Sequence, residues 1–570
     1  MIERLLRLAS APRAPLYFAI VGLVMCLPAL DFGLQADDWL FPWKLEQGAP
    51  IWSLFEIEAS AVPSAREQGF LVWWSDPQLV GKFFRPLASL SHALDFTLWP
   101  GAAWFMRLEN ALIYAAAVGL AAQLYRRLCA RPAVAALASL LFVVDDGHAF
   151  SAGWISGRNT LLALLFALLA LELHIRARAS ARTALYVASS ASVACALLSA
   201  EAGVWALSLL LAYALCVETS ELKVRLASVA APLCVGLAWA GVYVAMSCGF
   251  RGSSFYRDPG QPLTALVEGT LDLPVWFNDL FGLGGAPIAL MYPTQLVRLG
   301  TLPIALSLLW LMWPALRRSR ENRFFAVAAL LCLAPVVCTL PTARVLLGPS
   351  FGAMGWIASS IAQGWSAADL RGRVGARLLL GLHLVLASLL FVPALGATQS
   401  FANGTRALVS AVEPARDVIV VQAPVELLSN YAMLELTRIN AKARMPRSLQ
   451  LLYCGVASLT VERVDARTLD IEVDGGWGRV PIERIFGAPD RAPRTGSEVR
   501  LSAFTARVLT SAETGMPRRV RFTFPSSLEA PERQWLSWQS QTPAAFRLPA
   551  VGQRVRLAPL SFFSALRPGR

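Results

Sequence analysis

Apolar residues arrive in long, nearly unbroken runs up to about position 397, separated by short polar stretches rich in arginine. Runs of this length, wound as helices rising 1.5 Å per residue, reach across roughly 30 Å of hydrocarbon. The pattern predicts about eleven spans, near 15–33, 104–125, 132–144, 159–175, 183–200, 202–217, 226–247, 298–316, 324–341, 345–363 and 376–397. The third is short, and 262–297 has room for a re-entrant pair. Beyond position 405 the pattern changes to short strand-like runs: Asp417-Val418-Ile419-Val420-Val421, Leu459-Thr460-Val461-Glu462-Arg463-Val464, Val499-Arg500-Leu501 and the alternating Arg519-Val520-Arg521-Phe522-Thr523-Phe524. These read as strands, and Asp474-Gly475-Gly476 reads as a turn. The expected fold is therefore a polytopic α-helical membrane protein over 1–400, with a long first external loop at 34–103, followed by a β-rich extramembrane domain at 405–570. No repeat of 20–50 residues is evident.

Composition supports the membrane reading. Hydrophobic residues make up 56% and charged residues 16% of the chain, against roughly 25% charged in soluble domains, and the mean hydropathy is +0.52. The chain has too few charges to coat a water-facing surface of its own size.

Basic residues then set the orientation. Arg4, Arg7 and Arg13 precede the first span, and Arg126, Arg127 and Arg131 follow the second. Arg176, Arg178 and Arg182 follow the fourth, and Lys223 and Arg225 the sixth. Arg317, Arg318, Arg320 and Arg323 follow the eighth, and Arg371, Arg373 and Arg377 the tenth. Basic loops stay inside, so the N-terminus is expected in the cytoplasm and the C-terminal domain outside. The first span starts like a signal peptide, but Leu30-Asp31-Phe32 is a poor cleavage site, and a retained anchor is expected. An Ala/Arg/Leu-rich chain of this kind fits a bacterial inner (plasma) membrane and a periplasmic C-terminal domain.

The net charge is +13, from 51 Lys+Arg and 38 Asp+Glu. Such an excess suits anionic lipid or a phosphate-bearing substrate. No basic run or zinc spacing points to nucleic acid. The nine cysteines contain no CxxC pair and the four histidines (His92, His148, His174, His383) are scattered, so neither a disulfide framework nor a His-built metal site is expected.

Polar groups that do collect lie on the outer side of this topology. The first external loop, about 70 residues long and so a candidate for function by length alone, opens with Gln35-Ala36-Asp37-Asp38-Trp39. It continues through Lys82-Phe83-Phe84-Arg85-Pro86 and Ser91-His92-Ala93-Leu94-Asp95. The second segment carries Asp145, Asp146, His148 and Arg158. A hairpin holds Glu201, and two further segments bring Arg251 with Arg257 and Arg344. A carboxylate can take a proton from an attacking hydroxyl. Arginines can hold a phosphate by forked hydrogen bonds as charge builds on it. Sugar transfer from a lipid-linked phosphate needs both at the water–lipid boundary. Plainer roles fit the same residues: Asp145 as a helix cap, Arg85, Arg251, Arg257 and Arg344 as headgroup contacts, and Glu109 with Asn110 as a helix-packing pair.

Asp37-Asp38 after the first span, Phe84-Arg85-Pro86-Leu87 with Leu94-Asp95, and Trp154-Ile155-Ser156-Gly157-Arg158-Asn159-Thr160-Leu161-Leu162-Ala163 with Leu198-Ser199-Ala200-Glu201 resemble the GT-C superfamily of membrane glycosyltransferases. The similarity is greatest to the protein O-mannosyltransferase-like and TMTC-like branch, over about residues 15–400. The resemblance implies a polyprenyl-phosphate sugar donor, an inverting transfer to an acceptor hydroxyl on a protein or glycan, and a base in the first external loop. Asp37 matches that base, with Asp38 beside it as the second catalytic candidate. Arg85, Asp145, Asp146, His148, Arg158, Glu201, Arg251 and Arg344 are the substrate-binding candidates. The loop before Trp154 departs from the branch pattern His-Pro-x-His-x-Glu, reading Asp145-Asp146-Gly147-His148-Ala149-Phe150. The second span reads Arg107-Leu108-Glu109-Asn110-Ala111-Leu112-Ile113-Tyr114, and the helical repeats of the TMTC-like proteins do not follow. No cofactor is required by this chemistry; four aspartates leave room for a divalent cation. Two rival readings are a transporter of lipid-linked sugar, which should show internal repeat symmetry, and a non-catalytic scaffold for envelope assembly.

Overall fold

Each of the expected apolar stretches is helical in the computed structural model, which describes residues 11–282, 284, 286–438, 445–487 and 490–561. Arg4 and Arg7 of the basic lead-in lie outside the described residues. Among the described residues, seven helices are long and apolar enough to cross a membrane: Ala14–Phe32, Ala103–Leu128, Ile155–Ser180, Thr294–Leu316, Arg320–Cys338, Ala343–Gly364 and Leu370–Ala411. Two bent pairs add to them. Pro132–Val144 with Asp146–Gly153 turns by 48°, and Leu222–Ser228 with Ala230–Ala245 by 50°. The remaining two expected spans are the shorter apolar helices Thr183–Ser199 and Glu201–Cys216. The stretch at 262–297 holds the short helices Pro262–Leu271, Leu273–Phe281 and Ala286–Met291.

Close packing in the bundle rests on small residues, as expected where burial of apolar surface gives little drive between helices. Leu347–Gly364 lies at its centre, buried along almost all its length. A Cβ at Gly352 would meet the Ala329 nitrogen and the Phe325 carbonyl at 2.4 Å. The glycines of this helix thus set how near Arg320–Leu333 can approach.

The last long helix ends at Ala411, and Asp417–Ala423 opens the C-terminal domain. Two sheets form it. The first has the order Thr542–Ala545, Arg533–Gln539, Asp417–Ala423, Ser448–Cys454. Its last three strands run parallel, and helix Leu427–Leu436 makes the crossover between Asp417–Ala423 and Ser448–Cys454. The second is antiparallel, in the order Arg554–Leu557, Leu459–Arg463, Thr468–Val473, Pro517–Thr523, Thr505–Ser511, Glu498–Arg500. The strand signals at 417, 459, 499 and 519 all fall in these sheets. The parallel unit is a feature the alternation could not show, because strands buried on both faces read as continuous apolar runs.

The long first loop is folded. Glu56–Ile57, Val80–Lys82 and Gly249–Arg251 form a small antiparallel sheet, and Pro86–Leu98 is a helix. Trp73 and Trp74, both fully buried, belong to the same apolar core as the C-terminal strands. Gly69, at φ +90°, makes the approach feasible, since a Cβ there would overlap the Leu449 carbonyl. Gln450 Nε2 donates to the carbonyls of Arg66 and Glu67 at 2.9 and 3.0 Å.

Candidate functional site

The chain leaves the first helix through Leu27–Phe32 and a left-handed Gly33, then enters the single turn Ala36–Trp39. Gln35 caps that turn in a reciprocal pair with Asp38: the Gln35 backbone N–H donates to Asp38 Oδ2 at 3.0 Å. Asp38 Oδ1 accepts from the Ser156 backbone at 2.9 Å and its hydroxyl at 2.7 Å, with Arg107 3.8 Å away. Asp38 is fully buried. Burial raises its pKa to about 6, against the opposing pull of Arg107 and of these hydrogen bonds. Both its oxygens are committed to holding the turn to the start of helix Ile155–Ser180.

Asp37 faces the other way. Its Oδ1 accepts from the Tyr431 hydroxyl at 3.2 Å, and among the described residues Oδ2 carries no hydrogen bond. Burial raises its pKa above the ordinary carboxylate range; Arg344, the Tyr431 hydroxyl and Arg85 act in the opposite sense. Asp37 therefore lies within the electrostatic reach of two arginines, with one oxygen fixed and, among the described residues, one free.

Those arginines come from distant parts of the chain. Arg85 precedes helix Pro86–Leu98, lies 4.1 Å over the Phe83 ring and pairs with Glu201 at 2.6 Å. The second Glu201 oxygen, Oε1, is buried with no hydrogen-bond partner among the described residues. Arg344, on the turn Ala343–Leu346, donates to the Tyr256 hydroxyl at 2.6 Å and lies 5.5 Å from the Phe255 ring centroid. Tyr256 stacks on Phe250 at 4.9 Å. Asp37, Arg85, Glu201 and Arg344 are thus brought into one neighbourhood at one end of the bundle.

The other candidates are placed differently. Arg158 is buried, with every guanidinium nitrogen occupied: Nε by Asn110 at 2.7 Å, Nη1 by Asp95, and Nη2 by the Met106 carbonyl at 2.9 Å and Glu109 at 3.0 Å. Four of its five N–H donors are thereby engaged within the bundle, and Arg158 serves as a cross-link among three helices. Glu109 and Asn110 belong to the same packing network. His148 is enclosed between the Ser350 hydroxyl at 2.6 Å and the Tyr114 hydroxyl at 3.2 Å. Asp145 caps helix Asp146–Gly153 through the Gly147 N–H at 3.1 Å and lies 3.5 Å from His148 Nε2. Ser350 and Asp145 thus approach the same ring nitrogen, which excludes a nucleophile–base–acid relay through the imidazole. Asp146 is half-buried beside Asp145, on a helix that packs against the Arg344 turn. Arg251 is exposed at the end of its strand, 3.6 Å from Asp258. Arg257 is tied to Asp272 and to the Thr339 carbonyl at 2.7 Å. Among the described residues no group of three or more His, Cys, Asp or Glu side chains is arranged to hold a metal ion.

Tyr431 and Tyr256 were not singled out by sequence. Tyr431 is the one aromatic residue on the largely buried helix Leu427–Leu436, which also carries Ser429, Asn430 and Glu435, and Tyr256 lies in Phe255-Tyr256-Arg257. A tyrosine among core leucines is the available signal, since a buried tyrosine hydroxyl usually finds a partner.

No protein-family model matches the chain, and no curated protein matches it. Among solved structures it is similar to the crystal structure of ArnT from Cupriavidus metallidurans bound to undecaprenyl phosphate, at 15% sequence identity and a TM-score of 0.40, over 78% of this chain and 90% of that one.

Proposed function

We propose that this chain is a membrane glycosyltransferase that moves a sugar from a polyprenyl-phosphate carrier to an acceptor hydroxyl of a protein or glycan, with inversion at the anomeric carbon. The observation that carries the reading is Asp37: a carboxylate of raised basicity with one free oxygen, within the electrostatic reach of Arg344 and Arg85. Asp37 Oδ2 takes the acceptor proton as the hydroxyl oxygen attacks the sugar. The bond to the carrier phosphate breaks, and the phosphate departs with its charge balanced by arginine. Arg344 has only Tyr256 as a hydrogen-bonding partner among the described residues, so most of its donors remain for an anion. Arg85 supplies charge from its pair with Glu201. Asp38 and Arg158 are assigned to the scaffold of the site, and Asp146 and Arg251 to its rim. The basic-loop pattern supports an outward-facing C-terminal domain and site, and the Ala/Arg/Leu-rich composition a bacterial inner membrane, which makes that side the periplasm. A divalent cation is not needed, because the leaving group is a monoester held by arginines.

The test is sugar transfer in reconstituted vesicles with a panel of polyprenyl-phosphate sugars. Transfer that falls by at least about 100-fold in Asp37→Asn, in folded protein, is the expected result. Transfer that is indifferent to Asp37→Asn overturns the assignment of the base. Absence of transfer with every donor and acceptor offered favours the scaffold reading.

A further inference from the structure

We infer that the C-terminal domain supplies part of the reaction centre: Tyr431 is a positioning residue that ties down Oδ1 of Asp37 and leaves Oδ2 as the single oxygen that meets the acceptor. The inference rests on Asp37 acting as the base. It goes further in giving the soluble domain a direct role in the chemistry.

The hydroxyl-to-carboxylate bond joins residues 394 positions apart, and it is not an isolated touch. Tyr431 packs in one apolar cluster with Ala36, Trp154 and Leu434, against Trp39, Trp43 and Phe150. One turn of Leu427–Leu436 therefore rests on the turn that carries Asp37. The neighbouring Asn430 donates to the Phe70 carbonyl at 3.0 Å, and Arg438 pairs with Glu46 at the end of the helix that follows Asp37. The helix is thus fixed on both sides of Tyr431, so its hydroxyl has one direction to point.

A neutral O–H donor holds the charged form of a carboxylate more firmly than the protonated form. Tyr431 therefore sets how readily Asp37 takes a proton, alongside the charges that act on it: Arg344 and Arg85 through their fields, with Asp38 adjacent in the chain and buried toward Arg107. Tyr256 stands on the far side of Arg344. Glu435, one turn after Tyr431, is balanced by Arg406 rather than by this site. Among all of these, Tyr431 alone comes from the C-terminal domain and donates a hydrogen bond to Asp37.

Tyr431→Phe removes the donor and keeps the ring. The protonation of Asp37 is read in the full-length protein by infrared titration of its carboxyl band, identified as the band lost in Asp37→Asn. Tyr431→Phe is expected to move the midpoint upward by about half to one pH unit, the worth of one neutral hydrogen bond. Where transfer is measured, the acid limb of kcat moves in the same direction with little change in KM. Leu434→Ala, which loosens the same cluster without touching the carboxylate, is expected to lower stability and leave the midpoint in place. An unchanged midpoint in Tyr431→Phe, or an equal shift in Leu434→Ala, overturns the inference. Failure of transfer with every donor would strike the glycosyltransferase reading alone, because the infrared titration needs no substrate.

Discussion

The indole nitrogen of Trp73 donates to the main-chain carbonyl of Leu452 at 3.1 Å, joining the loop after the first helix to a strand 379 positions later. The ring is edge-on to Phe522 at 5.6 Å and to Trp477 at 6.3 Å, with no exposed surface. The first loop is therefore a component of the C-terminal core. Trp73→Ala should cost about 3–5 kcal/mol through the cavity it opens, and it leaves the Leu452 carbonyl without this partner. In detergent, the variant is expected to unfold at lower temperature and to be cut faster by protease within 34–103 and 445–487 together. Faster cutting of only one of the two segments would contradict a shared core.

The membrane half was legible because its signal is repeated: long apolar runs and basic loops agree with each other over about 400 residues. Asp37 stood out as a charged group just past the end of such a run, and Arg85 as a cation within the long first loop beside Phe83, Phe84 and Pro86. What the sequence could not separate was Asp37 from Asp38, or Arg344 from Arg158, because the difference lies in which side each faces. Ser156, Asn110 and Asp95 engage Asp38 and Arg158 from other helices. Tyr431 was hidden more deeply. It looks like one more core residue on a buried helix, and only the docking of that helix on Ala36–Trp39 gives its hydroxyl a partner.

Two adjacent aspartates should fail in different ways. Asp38→Asn exchanges a buried acceptor for a group that cannot serve Gln35, Ser156 and Arg107 together, so a loss of about 1–3 kcal/mol is expected. Asp37→Asn removes charge from a group with one hydrogen bond and should leave stability within about 1 kcal/mol. Thermal unfolding of the two variants, set beside their sugar transfer, separates the roles. Equal destabilisation would show that Asp37 is also structural.

Arg158 and Arg344 make a similar contrast among the cations. Arg158→Met leaves Asp95 buried without its partner, and breaking a buried pair in this way costs about 3–5 kcal/mol. Poor recovery from detergent is the expected outcome. Arg344→Met gives up a hydrogen bond to Tyr256 and a ring contact. Near-normal folding is expected, with KM for the lipid-linked donor raised at least about tenfold by loss of a charge-assisted contact. An unchanged KM in Arg344→Met would remove it from the phosphate site.

Glu426 gives the C-terminal domain a pH dependence of its own. Its Oε1 accepts from the Phe486 N–H at 2.7 Å, while Oε2 is buried with no hydrogen-bond partner among the described residues. Burial raises its pKa to about 8, only partly offset by the hydrogen bonds from Phe486 and Ile485. The folded protein therefore keeps a proton that the unfolded chain releases from an ordinary glutamate near pH 4.5. Between that pH and about 8 the native state binds more protons than the unfolded state, so stability falls as pH rises. The contribution is complete below the unfolded value and gone above about 8. The Phe486 carbonyl also accepts from the Asp76 N–H at 2.9 Å, so the loss should be felt where the first loop meets this domain. Chemical unfolding at pH 6, 7, 8 and 9 is expected to show a falling midpoint in the parent. Glu426→Gln, neutral at every pH, should flatten that slope and be the more stable of the two at pH 9. A parent and variant with parallel slopes would show that Glu426 is charged in the folded state throughout.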